Sequence, residues 1–120
     1  MDRVYVIQCE NDKWYIGHTD RPGIERLLEH FSGKGSEWTK LHRPIYTICC
    51  IPGTKKDEDI LTLLYMLHYG WDNVRGGSWC RTTYKNPPER FLDLLSQYSP
   101  NVLSVIDRYH GLLNTEFSIV

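Results

Sequence analysis

Residues 3–18 read RVYVIQCENDKWYIGH, and the pattern of this stretch decides the fold. Two short runs, 3–9 and 13–18, are rich in β-branched and aromatic residues, the types that suit a pleated, half-buried strand. Glu10-Asn11-Asp12 between them supplies turn chemistry, so the stretch predicts a β-hairpin with a three-residue connection. Asp20-Arg21-Pro22-Gly23 then stops the second strand.

Downstream the period changes. Ile24, Leu27, Leu28 and Phe31 recur at the i, i+3, i+4, i+7 spacing of an amphipathic helix. Arg26 and His30 lie four apart, away from that apolar stripe. Ser32-Gly33-Lys34-Gly35-Ser36 predicts a flexible loop. Residues 44–51, PIYTICCI, read as a third strand with Pro44 tolerated at its start. From Asp57 to Tyr69 a helix is predicted, its acidic first turn suited to the positive end of the helix dipole. Its body, residues 60–67, is apolar nearly all round, which makes it the central buried helix. Residues 71–86 read as irregular. Pro87-Pro88 opens a helix with Phe91, Leu94, Leu95 and Tyr98 on one stripe. Val102, Val105, Ile106, Tyr109, Leu112 and Leu113 mark a second. The expected fold is a small α/β domain: a three-stranded, mainly antiparallel sheet flanked by helices, with two extra C-terminal helices. Residues 1–86 form the core unit and 87–120 a helical extension packed on it.

The chain has 120 residues, enough for one core without metals or disulfides. Its 41% hydrophobic and 24% charged content excludes wholesale disorder. No apolar run approaches the roughly 20 residues of a membrane span, and the start lacks a signal-peptide layout, so an intracellular protein without membrane contact is expected. Cys9, Cys49, Cys50 and Cys80 form no C-x-x-C pair and read as reduced, mostly buried packing residues. The net charge of −1 hides an asymmetry: residues 13–56 carry eight Lys/Arg against four acids, whereas 57–120 carry five against eight. A basic block in a near-neutral chain points to a local anionic partner.

Val4-Tyr5-Val6-Ile7, then Tyr15-Ile16-Gly17, then Arg26 and His30 on the next helix resemble the GIY-YIG nuclease superfamily. The resemblance covers roughly residues 3–80. Tyr-Ile-Gly is intact, while Arg3-Val4-Tyr5 stands where Gly-Ile-Tyr would be. Gly35-Ser36-x-Trp38-Thr39-Lys40 and Asn73-Val74-Arg75-Gly76-Gly77-Ser78 also resemble small members from large DNA viruses. The resemblance implies that Tyr5 acts on or orients an attacking water and that Tyr15 supports it. It further implies that Arg26 stabilises the scissile phosphate, and that a Glu on a later helix holds one divalent metal, Mg2+ or Mn2+. Those residue types fit the chemistry. Phosphodiester hydrolysis needs an activated water, a cation on the developing charge and a Lewis acid. The family's Glu position falls on Thr62 here; Glu58, one turn earlier on the same face, is the candidate that replaces it.

Each residue also has a plainer reading. Tyr5 and Tyr15 fit as strand aromatics, Arg26 as a partner of Glu29, and Glu58 as an ordinary helix N-terminal acid. His18, after Gly17, is a candidate for proton transfer or phosphate contact, and His30 shares the Arg26 face. Lys34, Trp38, Lys40 and Arg43 interleave basic groups with an aromatic, which suits a phosphate backbone and an exposed base. Arg75, beside Gly76-Gly77-Ser78, fits a phosphate nest or a tight turn equally. The expected function is metal-dependent DNA endonuclease activity with water as nucleophile and no small-molecule cofactor. The alternatives are a catalytically inactive nucleic-acid-binding module and a protein–protein adaptor.

Overall fold

The computed structural model describes residues 2–96. The hairpin forms as its composition requires. Strand β1 (Arg3–Cys9) pairs antiparallel with β2 (Lys13–Thr19) across a single 3-10 turn, Glu10–Asp12. Asn11 and Asp12 take positive φ there, which Asn and Asp tolerate better than bulkier residues. Tyr5 faces Gly17 and Ile7 faces Tyr15 across the pair. Because strand side chains alternate, Tyr5, Ile7 and Tyr15 pack on one side of the sheet. Val4, Val6, Trp14 and Ile16 pack on the other.

Strand β3 (Pro44–Pro52) runs antiparallel along the free edge of β1. Cys49 packs toward one core and Cys50 toward the other, as adjacency in a strand dictates. The expected three-stranded sheet is corrected by a fourth strand, β4 (Val74–Gly76), parallel to β2, in the order β3-β1-β2-β4. Three residues ending in glycine are too few to show an alternation. The cysteines are free, as expected, but Cys80 is exposed rather than buried.

The larger core lies between the sheet and helix α3 (Lys55–Tyr69). Thr54 and Asp57 form a reciprocal capping box that starts it. Ile60 to Met66 are buried without a break, as expected of the central helix. Helix α4 (Glu89–Ser96) follows Pro87-Pro88 and sends Phe91 into the same core. The side chains of Leu94 and Leu95, residue Tyr98, and the second helix expected from Val102 to Leu113 lie outside the described residues.

The other face of the sheet carries the smaller core, where Tyr5, Ile7, Cys9, Tyr15 and Trp38 meet Leu27 of helix α1 (Gly23–Phe31). This helix is turned against its sequence pattern. Ile24, Leu28 and Phe31 of the apolar stripe are exposed, while His30 is fully buried. Helix α2 (Glu37–Leu41) follows the expected loop directly; Ser36 caps it by accepting from the Thr39 N–H.

Candidate active site

Tyr5, Tyr15 and His30 form a cluster of three rings, with centroids 6.4, 5.4 and 5.0 Å apart. The hairpin register sets the two phenols on one face, and α1 lays His30 over them. Gly17 opposite Tyr5 is required, because a Cβ there would overlap the Tyr5 ring. Tyr5 Oη lies 2.8 Å from His30 Nε2. The other imidazole nitrogen, Nδ1, is 2.9 Å from Thr39 Oγ1.

Burial pushes the Tyr5 phenol well above its ordinary range, and the neighbouring Tyr15 adds to the rise; Arg26 opposes it with its charge and a hydrogen bond. Tyr15 is raised too, by burial first and then by the charge of Glu58. Burial, with Arg26 second, lowers His30 to about 4. At neutral pH the cluster is therefore a neutral phenol against a neutral imidazole, with a guanidinium beside them.

Arg26 is about one quarter exposed and donates to Glu29 at 2.8 Å. Arg21 holds the same carboxylate through two hydrogen bonds of 3.1 and 2.6 Å. Hydrogen bonds from Arg21 and then Arg26 hold the Glu29 carboxyl down to about 2. Glu29 thus orients Arg26, whose charge acts on Tyr5.

Three acids open α3, and two are committed. Asp57 accepts from the Thr54 N–H in the capping box. Asp59 accepts from the Ser78 N–H and Oγ at 2.8 Å each and from Arg90 at 3.2 Å. Glu58 is half-buried, and the Gly77 backbone favours its ionised form. Burial raises its carboxyl to about 6, the nearby His18 lowers it and Asp59 raises it again. Its charge in turn raises both Tyr5 and Tyr15, so this carboxylate lies within electrostatic reach of the phenols. Thr62 is fully buried and donates to the Glu58 carbonyl at 2.7 Å. His18 Nε2 pairs with Asp2 at 3.2 Å. No group of three or more His, Cys, Asp or Glu side chains among the described residues is arranged to hold a metal.

A family model described as the GIY-YIG catalytic domain matches residues 1–65, more than half of the chain. The chain belongs to the GIY-YIG family. Similar proteins include the UPF0213 protein YazA of Bacillus subtilis, 39% identical over 44 residues covering 37% of this chain and 43% of that protein. The UPF0213 protein NMC1807 of Neisseria meningitidis is 40% identical over 42 residues, covering 35% and 45%. The UPF0213 protein BH0048 of Halalkalibacterium halodurans is 33% identical over 58 residues, covering 46% and 57%. These three relatives are bacterial. The chain spans about half the length of the curated relatives it matches. No solved structure matches it. Among the described residues, no helix is long and apolar enough to cross a membrane.

The GIY-YIG frame leaves the expected nucleic-acid contacts divided. Lys34, Lys40 and Arg43 are exposed. Lys40 and Arg43 line a cleft of about 390 Å³ that also borders His30 and Thr39. Two expectations are corrected. Trp38 is 2% exposed, in the smaller core, with Nε1 donating to the Trp14 carbonyl at 2.9 Å, so it offers no face to a base. Arg75 is fully buried and spends its five N–H groups on the carbonyls of Arg81, Trp71, Val74 and Thr82 and on Asp72. Its guanidinium stacks 4.6 Å from the Trp38 ring centre. It ties β4 to the segments around it and has no donor left for phosphate. Sequence reasoning named the Arg26–Glu29 pair, which forms, but missed Arg21 on the same carboxylate and missed Ser36 and Thr39 behind His30. The S-x-x-T cap spacing after Gly35 was the available signal.

Proposed function

We propose that this domain is a DNA endonuclease that hydrolyses phosphodiester bonds with water as nucleophile and one divalent ion, Mg2+ or Mn2+. The observation that carries the reading is the contact of Tyr5 Oη with His30 Nε2 at 2.8 Å, on a phenol that the Arg26 charge acts on. A buried phenol held between a proton acceptor and a guanidinium is arranged for proton transfer rather than for packing alone.

A single carboxylate suits such an ion. A hard divalent cation keeps several waters and takes one or two carboxylates plus substrate phosphate oxygens. Glu58 is the candidate holder, since Asp57 and Asp59 are committed elsewhere. When bound, the ion supplies Lewis-acid stabilisation of charge on the phosphate oxygens. Tyr5 takes a proton from the attacking water as its own passes to His30 Nε2; the new P–O bond to that water forms as the P–O bond to the leaving sugar oxygen breaks, and the leaving oxygen takes its proton from solvent. The transfer is concerted, so no free phenolate is needed at rest. Tyr15 holds the Tyr5 ring in place, and Arg26 meets the charge that develops on the phosphate. The charge of His18 favours the ionised form of Glu58. Lys34, Lys40 and Arg43 contact the phosphate backbone.

A second reading has the sealed Thr62 in its favour: a module that binds DNA without cutting it. Arg26→Ala tests between them. Cleavage should fall by about a hundredfold or more, with a circular dichroism melt close to wild type. Normal cutting by the variant removes Arg26 from the site.

A further inference from the structure

Three polar groups stand in series behind the Tyr5 hydroxyl, and hydrolysis as proposed uses only the first. His30 Nδ1 lies 2.9 Å from Thr39 Oγ1. Thr39 Oγ1 donates to the Ser36 carbonyl at 3.1 Å. Ser36 Oγ lies 3.1 Å from the same hydroxyl and holds the Thr39 N–H at 3.2 Å. Thr39 is 1% exposed and His30 not at all. Gly35 closes the chain onto the ring: a Cβ there would collide with His30 Nδ1.

A neutral imidazole carries its proton on one nitrogen only, and the partner of each nitrogen decides which. The Thr39 hydroxyl has one proton. Donated to the Ser36 carbonyl at 3.1 Å, it leaves lone pairs facing the ring, the arrangement in which Nδ1 donates to Thr39 Oγ1. Nε2 is then an acceptor. On the other side, the positive charge of Arg26 acts on the Tyr5 oxygen, which turns the phenol's own proton away from the guanidinium and toward Nε2, 2.8 Å away. Both ends of the chain therefore demand the same tautomer.

We propose that Thr39 is a positioning residue: its hydroxyl holds His30 with the proton on Nδ1 and so keeps Nε2 open to the Tyr5 proton. The catalytic purpose of this hold rests on the hydrolytic reading, whereas the tautomer itself does not. Without the hydroxyl, Nδ1 loses its buried acceptor, and the ring gains by moving its proton to Nε2 and donating to Tyr5. That tautomer has no vacant site for the phenol proton.

The test has two readouts on the full chain. Long-range proton–nitrogen correlation on 15N-labelled protein reads the His30 tautomer without DNA or metal. Single-turnover cleavage of plasmid DNA with Mg2+ or Mn2+, beside DNA binding by anisotropy, reads its consequence. Wild type should show the Nδ1–H pattern. Thr39→Val, near-isosteric, should lose that pattern and cut about tenfold or more slowly, with DNA affinity unchanged. Thr39→Ser, which restores the hydroxyl, should recover both. Wild-type protein that cuts DNA while His30 carries its proton on Nε2 overturns the proposal, whether or not the valine variant folds. So does Thr39→Val with wild-type tautomer and rate. Wild-type protein with the Nδ1–H pattern that cuts no DNA under any metal condition overturns the hydrolytic reading and supports the Thr39 hold alone.

Discussion

The hydroxyl of Tyr5 contacts His30, and the charge of Arg26, one turn earlier on α1, acts on it. Their four-residue spacing was legible in the sequence, and so were both tyrosines, because a hairpin of known register fixes which strand residues share a face. What spacing does not carry is depth. His30 read as a residue on an exposed face, yet it is fully buried with both nitrogens occupied. Its partners, Thr39 and Tyr5, come from segments 9 and 25 residues away, a distance no local pattern spans. Burial has a measurable consequence. The imidazole titrates near 6.5 when unfolded and near 4 when folded, so the unfolded chain binds more protons between those values. Stability from this group is whole above about 7 and is lost as pH falls toward 4, by up to about 3 kcal/mol. Chemical denaturation of wild type and His30→Gln between pH 7 and pH 4 should show the wild-type advantage shrinking by that order. A constant difference would mean that His30 is not held neutral by the fold.

Helix α1 shows why a pattern identifies an element more readily than its orientation. The 3.6-residue period is correct, and Gly23–Phe31 is helical. The apolar stripe, however, points outward: Ile24 is 64% and Leu28 60% exposed. Turning the helix brings His30 and Arg26 to the phenols, and the hydrogen bonds they make are not visible to a hydrophobic count. Helix α3 follows the ordinary logic, with Leu61 fully buried. The two leucines should therefore respond differently. Leu28→Lys should leave the unfolding free energy within about 0.5 kcal/mol of wild type. Leu61→Ala should cost about 2–5 kcal/mol. Urea melts of the two variants measure this, and a large loss at Leu28 would return the stripe to the interior. Strand β4 and helix α2 stayed illegible for a simpler reason. Three and five residues are shorter than the window in which either period can be counted.

Across the whole molecule, the basic block of residues 13–56 was read as a surface for an anionic partner, and the fold sorts it unevenly. Arg21 and Arg26 bond Glu29, and Lys40 bonds Glu37. Lys40 and Arg43 line the cleft beside His30. Neutralising Lys34, Lys40 and Arg43 together should weaken DNA binding for all sequences alike. It should also flatten the log–log salt dependence by about 0.9 for each phosphate that is no longer neutralised. An unchanged slope in a salt titration would assign these charges to solvent. The metal question turns on the opposite charge. Burial raises the ion-free Glu58 carboxyl to about 6, so proton and ion compete for it, and cleavage at subsaturating ion should fall as the pH drops through that value.

Glu58 decides between a domain that cuts DNA and one that only holds it, because it is the acid at the head of α3 whose charge both phenols feel. The most direct measurement is single-turnover cleavage of supercoiled plasmid at pH 7.5 by wild type and Glu58→Gln, each with Mg2+, with Mn2+ and with chelator, beside DNA binding by anisotropy. Wild type should nick the plasmid only with the ion present. Glu58→Gln, which keeps the shape and loses the charge, should cut about a hundredfold or more slowly while binding DNA as tightly. Wild-type protein that leaves the DNA intact under every condition, or a Glu58→Gln variant that cuts at the wild-type rate, would contradict the assignment of a metal-dependent nuclease centre to Tyr5, His30, Arg26 and Glu58.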